Sequence, residues 1–148
     1  MIKLANEHLG YYFKRINEAF VARANKSLKK FELTSTQMDI LMYLFRNNST
    51  TSTQRDIEKY FNLSHSTVIG VLQRLTEKGY ITVEQSLDDK RQRNVNLTQK
   101  AFEVKQYILN HRQKIQNSFS ENFSESELES LVKSLKKVYD ILQKECEK

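Results

Sequence analysis

Residues 64–98 read SHSTVIGVLQRLTEKGYITVEQSLDDKRQRNVNLT, and the period of their side chains changes partway through. From Ser64 to Gly79 it is helical. Val68, Val71, Leu72 and Leu75 share one face, Ser64 stands where an N-cap is needed, and Gly79 fits a left-handed position just past the helix end. YITVEQ (80–85) and RNVNL (93–97) are β-branched and partly alternating, which predicts an antiparallel hairpin with the charged segment SLDDKRQ at its tip. Upstream, TQRDIEKYF (53–61) predicts a short helix opening on Thr53 and Asp56, with Ile57, Tyr60 and Phe61 facing inward. Only Asn62 and Leu63 separate the two helices. A tight helix pair followed by a charged hairpin is a winged helix-turn-helix arrangement, in which the second helix enters the major groove of DNA.

Further out, LTSTQMDILMYLF (33–45) begins with Thr34 and Gln37 in capping-box spacing and places Met38, Leu41, Leu44 and Phe45 on one face. Leu4, Tyr12, Ile16, Phe20, Ala24 and Leu28 recur at multiples of four, the stripe of one long amphipathic helix over residues 4–31 that needs a partner for its apolar face. After the hairpin, Thr98 starts a helix reaching about Asn117. SESELESLVKSLKKVYDILQ (124–143) then opens with a Ser124/Glu127 capping box and carries Leu128, Leu131, Leu135, Val138, Ile141 and Leu142. The expected fold is mainly α with a small β-hairpin wing: a winged helix-turn-helix lobe over 34–98, flanked by a helical region made of 1–33 and 99–148.

Composition agrees with this reading. There is no Pro and only three Gly among 148 residues, and 28% are charged, as in a mostly helical protein with few irregular loops. The net charge of +6 suits a polyanionic partner. Yet residues 61–98 carry five Lys/Arg against four Asp/Glu, so the lobe is no basic block. Its cations gather at Lys90, Arg91 and Arg93.

No run approaches the ~18 apolar residues of a membrane span, and the N-terminal residues lack a signal-peptide core, so a cytoplasmic protein is expected. Cys146 is the sole cysteine, which excludes an internal disulfide and reads as a surface thiol. His8, His65 and His111 show no ligand spacing, so no metal is expected. No cofactor is expected either. No phosphate-cradling glycine loop and no nucleophile–base motif stands out, which argues against an enzyme.

The chemistry therefore concentrates on double-stranded DNA. His65, Ser66 and Thr67 occupy the first turn of the second helix, where short polar side chains reach base edges and free N–H groups meet phosphate. Plain capping by Ser64 and Thr67 accounts for the same residues. Two turns on, Arg74 suits guanine or phosphate and Gln73 suits adenine. Lys90 and Arg93 suit phosphate, as do Thr53 and Gln54 at the start of the preceding helix, while the cationic hairpin tip as a whole suits the narrow, electronegative minor groove, which accepts an inserted Arg. Gly70 inside the second helix calls for a close approach, either by DNA or by a neighbouring helix.

Four motifs in order, LTSTQMDIL, STVIGVLQRLTEKGYI, DKRQRNVNLT and FSESELESL, make the chain resemble the MarR family of bacterial transcriptional regulators over nearly its whole length. Ala101 departs from the Gly that the family often has, and sits where a helix former is expected. The resemblance implies a homodimer in which the first and last two helices of each subunit interlock, setting two lobes on successive major grooves. It also implies that Arg91 enters the minor groove from the wing, held by Asp89. An effector site for a small aromatic ligand between the dimer helices and the lobe is implied as well, and YYF (11–13) would suit either that pocket or an apolar core or dimer interface. The expected function is a repressor of a pseudo-palindromic promoter site; the rival readings are a protein–protein winged-helix module and a nonspecific architectural DNA binder.

Overall fold

The computed structural model describes residues 8–146. The helices are α1 (Leu9–Leu28), α2 (Ser35–Arg46), α3 (Gln54–Phe61), α4 (His65–Glu77), α5 (Gln99–Asn122) and α6 (Glu125–Cys146), with one 3-10 turn at Lys29–Phe31. The strands are β1 (Ser52–Thr53), β2 (Ile81–Gln85) and β3 (Arg93–Leu97). The chain forms two compact units that meet within α5, between Ile108 and Leu109.

In the first unit α2 is the central element, and it is buried on more than the one predicted stripe: Ile40 and Met42 join Met38, Leu41, Leu44 and Phe45 in the core. The reason is tertiary, since α1, α4 and β3 all pack on it. Its Thr34/Gln37 capping box forms as expected. Val68, Leu72 and Leu75 of α4, Ile57 of α3, Ile81 and Val95 of the sheet, and Ala101, Val104 and Ile108 of α5 complete the core. Ala101 is helical and fully buried, where a good helix former with a small side chain fits.

The predicted antiparallel hairpin forms, with Ile81 opposite Leu97 and Val83 opposite Val95. It is not alone. β1 adds a third antiparallel strand, Ser52 opposite Val95 and Thr53 opposite Asn94, giving the order β1-β3-β2. Two residues are too few to show alternation in sequence, so only the pairing reveals this strand.

Two expectations are corrected. Tyr60 does not face inward: it is 60% exposed, its ring lying 4.7 Å from that of Tyr43 and 4.9 Å from that of Phe61. Ile57 fills the inward position of this eight-residue helix, and Tyr60 lies over the rim against Tyr43 and Phe61. The second correction concerns α5, which runs on to Asn122 rather than about Asn117. No Gly or Pro interrupts this span, and Ser118 and Asn122 bond back to the carbonyls of Lys114 and Ser118 at 3.0 and 2.7 Å.

Within α1 only Ala24 and Leu28 of the apolar stripe are buried; Tyr12, Ile16 and Phe20 are exposed, and Leu4 lies outside the described residues. In the second unit α6 starts on the predicted box, with the Ser124 amide donating to Glu127 Oε2 at 2.7 Å. None of its residues is buried: Leu131, Leu135, Ile141 and Leu142 are exposed. Among the described residues no helix is long and apolar enough to cross a membrane.

Candidate nucleic-acid interface

The turn between α3 and α4 is tight because Asn62 adopts a left-handed conformation (φ 50°) that Asn tolerates better than most residues. Ser64 then caps α4, its hydroxyl accepting from the Thr67 amide at 3.3 Å and lying 2.7 Å from the Thr67 hydroxyl. At the other end Gly79 (φ 78°) closes α4: the Tyr80 amide donates to the Leu75 carbonyl and the Gly79 amide to that of Thr76, both at 2.9 Å. Tyr80, Lys78 and Thr98 tie this corner to the lobe. The Tyr80 hydroxyl donates to the Phe31 carbonyl at 2.9 Å, Lys78 Nζ donates to Gln37 Oε1 at 3.1 Å and to the Glu32 carbonyl, and the Thr98 hydroxyl donates to the Gly79 carbonyl at 2.6 Å. Burial pushes the Tyr80 phenol above its ordinary pKa, as suits a neutral donor.

Opposite its buried face α4 presents Ser66, Gly70, Gln73 and Glu77, flanked by Thr67 and Arg74 on one side and Ile69 on the other. Gln73 donates to Glu77 Oε1 at 3.1 Å, so these two form a bonded pair on the surface. A Cβ added at Gly70 would meet nothing within 4 Å. Close packing by a neighbouring helix is therefore not what Gly70 serves among the described residues.

The wing tip is an organised turn. Asp89 Oδ1 accepts from the Arg91 amide at 2.9 Å, and Oδ2 from the Gln92 side chain at 3.3 Å. The Gln92 amide donates to the Asp89 carbonyl and the Ser86 amide to the Gln92 carbonyl, both at 2.9 Å. Gln85 Nε2 donates to the Lys90 carbonyl at 2.7 Å. Asp89 thus holds the backbone beneath Arg91, and Lys90, Arg91 and Arg93 are all exposed.

Thr53, Gln54 and His65, like Ser64, Thr67 and Gln73, have partners within the chain. Thr53 caps α3: its amide and hydroxyl donate to Asp56 Oδ2 at 2.8 and 2.7 Å, and these bonds hold the Asp56 carboxyl below its ordinary pKa. The helix start is thereby satisfied and carries an anion, which opposes phosphate there. Gln54 is buried, its amide donating to Glu58 Oε1 at 3.2 Å. His65 donates from Nδ1 to the same oxygen at 2.6 Å. The 3.3 Å approach of Gln54 Nε2 to Nδ1 is then packing, because that nitrogen's proton already points to Glu58. The bond from His65, then that from Gln54, lowers the Glu58 pKa. The Gln54 side chain is buried and the Thr53 hydroxyl is engaged by Asp56, whereas the His65 side chain stays 70% exposed.

Sequence reasoning missed Glu58, whose link to His65 crosses the helix turn, and Ile69, passed over because apolar residues were assigned to the buried face. A wheel drawn on Val68, Leu72 and Leu75 would have put Ile69 off that face. Of the aromatic trio, Tyr11 and Tyr12 are exposed and Phe13 is half-buried, so they build no core among the described residues. Among the described residues no group of three His, Cys, Asp or Glu gathers to hold a metal.

The geometry has clear counterparts. The structure of Staphylococcus aureus MepR in complex with DNA superposes with a TM-score of 0.87 at 25% identity, covering 93% of this chain and 99% of that one. The transcription regulator MarR from Oenococcus oeni PSU-1 gives 0.74 at 32% identity, over 90% and 99%. In sequence, the HTH-type transcriptional regulator BilQ of Clostridioides difficile is 30% identical over 93% of this chain and 92% of its own length. Residues 31–92, from the end of the 3-10 turn through the wing tip, match the sequence profile of the MarR family. With the winged lobe and both of its flanking helical segments included in these matches, the chain belongs to the MarR family of winged helix-turn-helix transcriptional regulators.

Proposed function

We propose that this protein is a homodimeric repressor that binds a pseudo-palindromic promoter site, with α4 of each subunit in the major groove and Arg91 of each wing in the adjacent minor groove. The observation that carries this reading is the outward surface of the lobe: Ser66, Gln73 and Arg74 of α4 and the Asp89-braced Arg91 are exposed on consecutive elements. That MepR, so similar in backbone, was solved on DNA supports it. His65, Ser66, Thr67, Gln73 and Arg74 are assigned to bases and neighbouring phosphates, with Ser64 holding the helix start. Lys90 and Arg93 are assigned to phosphates.

Dimerisation is assigned to 1–33 and 99–148, whose exposed apolar residues on α1 and α6 call for cover. A small effector binding near this region would release DNA by changing the spacing of the two lobes, since both recognition helices must sit in register at once.

The test is selection from a random duplex pool with the full chain at physiological salt. Enrichment of an inverted repeat with half-sites about one helical turn apart is the expected result. An unenriched pool with salt-dependent binding would instead make the protein an architectural binder, and no DNA binding at all would leave a protein–protein module.

A further inference from the structure

We infer that Ile69, with Gly70 beside it, reads the 5-methyl group of a thymine in each half-site; this rests on the proposed placement of α4 in the major groove. Val68 and Leu72 on the same helix are buried, yet Ile69 is 42% exposed. It is three residues from Ser66 and four from Gln73, so on its outward side it borders two polar side chains of the exposed face, with His65 and the buried Leu72 on its other side. A single exposed apolar residue is ordinary on a protein surface. What distinguishes this one is its company.

Gly70 weakens a helix interior relative to alanine, and a Cβ there would meet nothing within 4 Å beyond its own helix. Among the described residues nothing gives a reason for the missing side chain. Bare backbone on the outward line of α4 lets the helix axis come closer to whatever lies opposite, and so brings the branched side chain of Ile69 within reach of it. In the major groove, base edges present hydrogen-bond donors and acceptors together with one apolar group, the C5-methyl of thymine. Ile69 has nothing to offer the former and matches the latter.

The experiment uses the full-length protein and the duplex recovered by site selection, with each thymine replaced in turn by uracil, which lacks only the methyl. Wild type should lose about fourfold in affinity per half-site at one symmetry-related pair of positions, the factor expected for one buried methyl. Ile69→Ala should bind thymine and uracil duplexes equally, and Ile69→Val, which keeps a branched apolar side chain and guards against a folding defect in the first variant, should retain part of the difference. Gly70→Ala should weaken binding while helical content by circular dichroism holds or rises. A site that tolerates uracil at every position, or a uracil penalty unchanged in Ile69→Ala, would overturn the inference while leaving the DNA-binding reading intact. Failure to select any site would remove both.

Discussion

The Asp89 carboxylate grips the Arg91 amide and the Gln92 side chain, and the Arg91 side chain itself stays exposed at the wing tip. Two effects can thus be separated. Arg91→Ala should cost about 1–3 kcal/mol of DNA affinity, read by fluorescence anisotropy, with the oligomer unchanged in size-exclusion chromatography. Asp89→Ala should weaken binding with Arg91 still present, because the turn that aims it is released; an unaltered affinity in both variants would reject the wing assignment. His65→Ala should alter the selected half-site, and a site identical to wild type would reduce His65 to a link between α3 and α4 through Glu58. At this scale the sequence disclosed residue types and spacing. It could not disclose partners such as Glu58 for His65, which depend on the angle at which two helices meet.

At the level of elements, the caps were legible because they are local: Thr34, Thr53, Ser64 and Ser124 each bond to the amide three residues ahead. Thr53→Ala should destabilise the fold by about 1 kcal/mol in urea unfolding. It should also blunt part of the acid response. Because the folded-state pKa of Asp56 is depressed below its ordinary 3.8, chiefly by the Thr53 hydroxyl, its contribution is present above that value and lost as pH falls through the lower folded one. The substituted protein should therefore show a shallower loss of stability over that acidic range. Gly79→Ala should cost about 1–2 kcal/mol, from the positive φ alone, since the nearest atom to an added Cβ is Lys100 Cδ at 3.8 Å. β1 and the last turn of α5 were not legible, the first because pairing with β3 defines it and the second because its sequence holds no stop signal.

On the scale of the whole molecule, exposed apolar side chains remain on α1 and along α6, among them Ile16, Phe20, Leu135 and Ile141. If a second copy covers them, Leu135→Glu with Ile141→Glu should convert the dimer to a monomer in light scattering while the circular dichroism of the lobe persists, and operator affinity should collapse with the lost second half-site. A variant that stays dimeric would move the interface elsewhere. Wild-type affinity should also fall steeply with salt, as expected when Lys and Arg displace phosphate counterions.

The sequence by itself determined the winged lobe, its capped helices and the charged hairpin, because periodicity, caps and turn residues act over a few neighbouring positions. Tertiary structure alone decided that α2 is wrapped on several sides, that a third strand joins the wing, that Gln54 is buried, and that Ile69 and Gly70 face out together. Each of these depends on which surfaces meet once distant segments pack, and no local pattern encodes that angle or register.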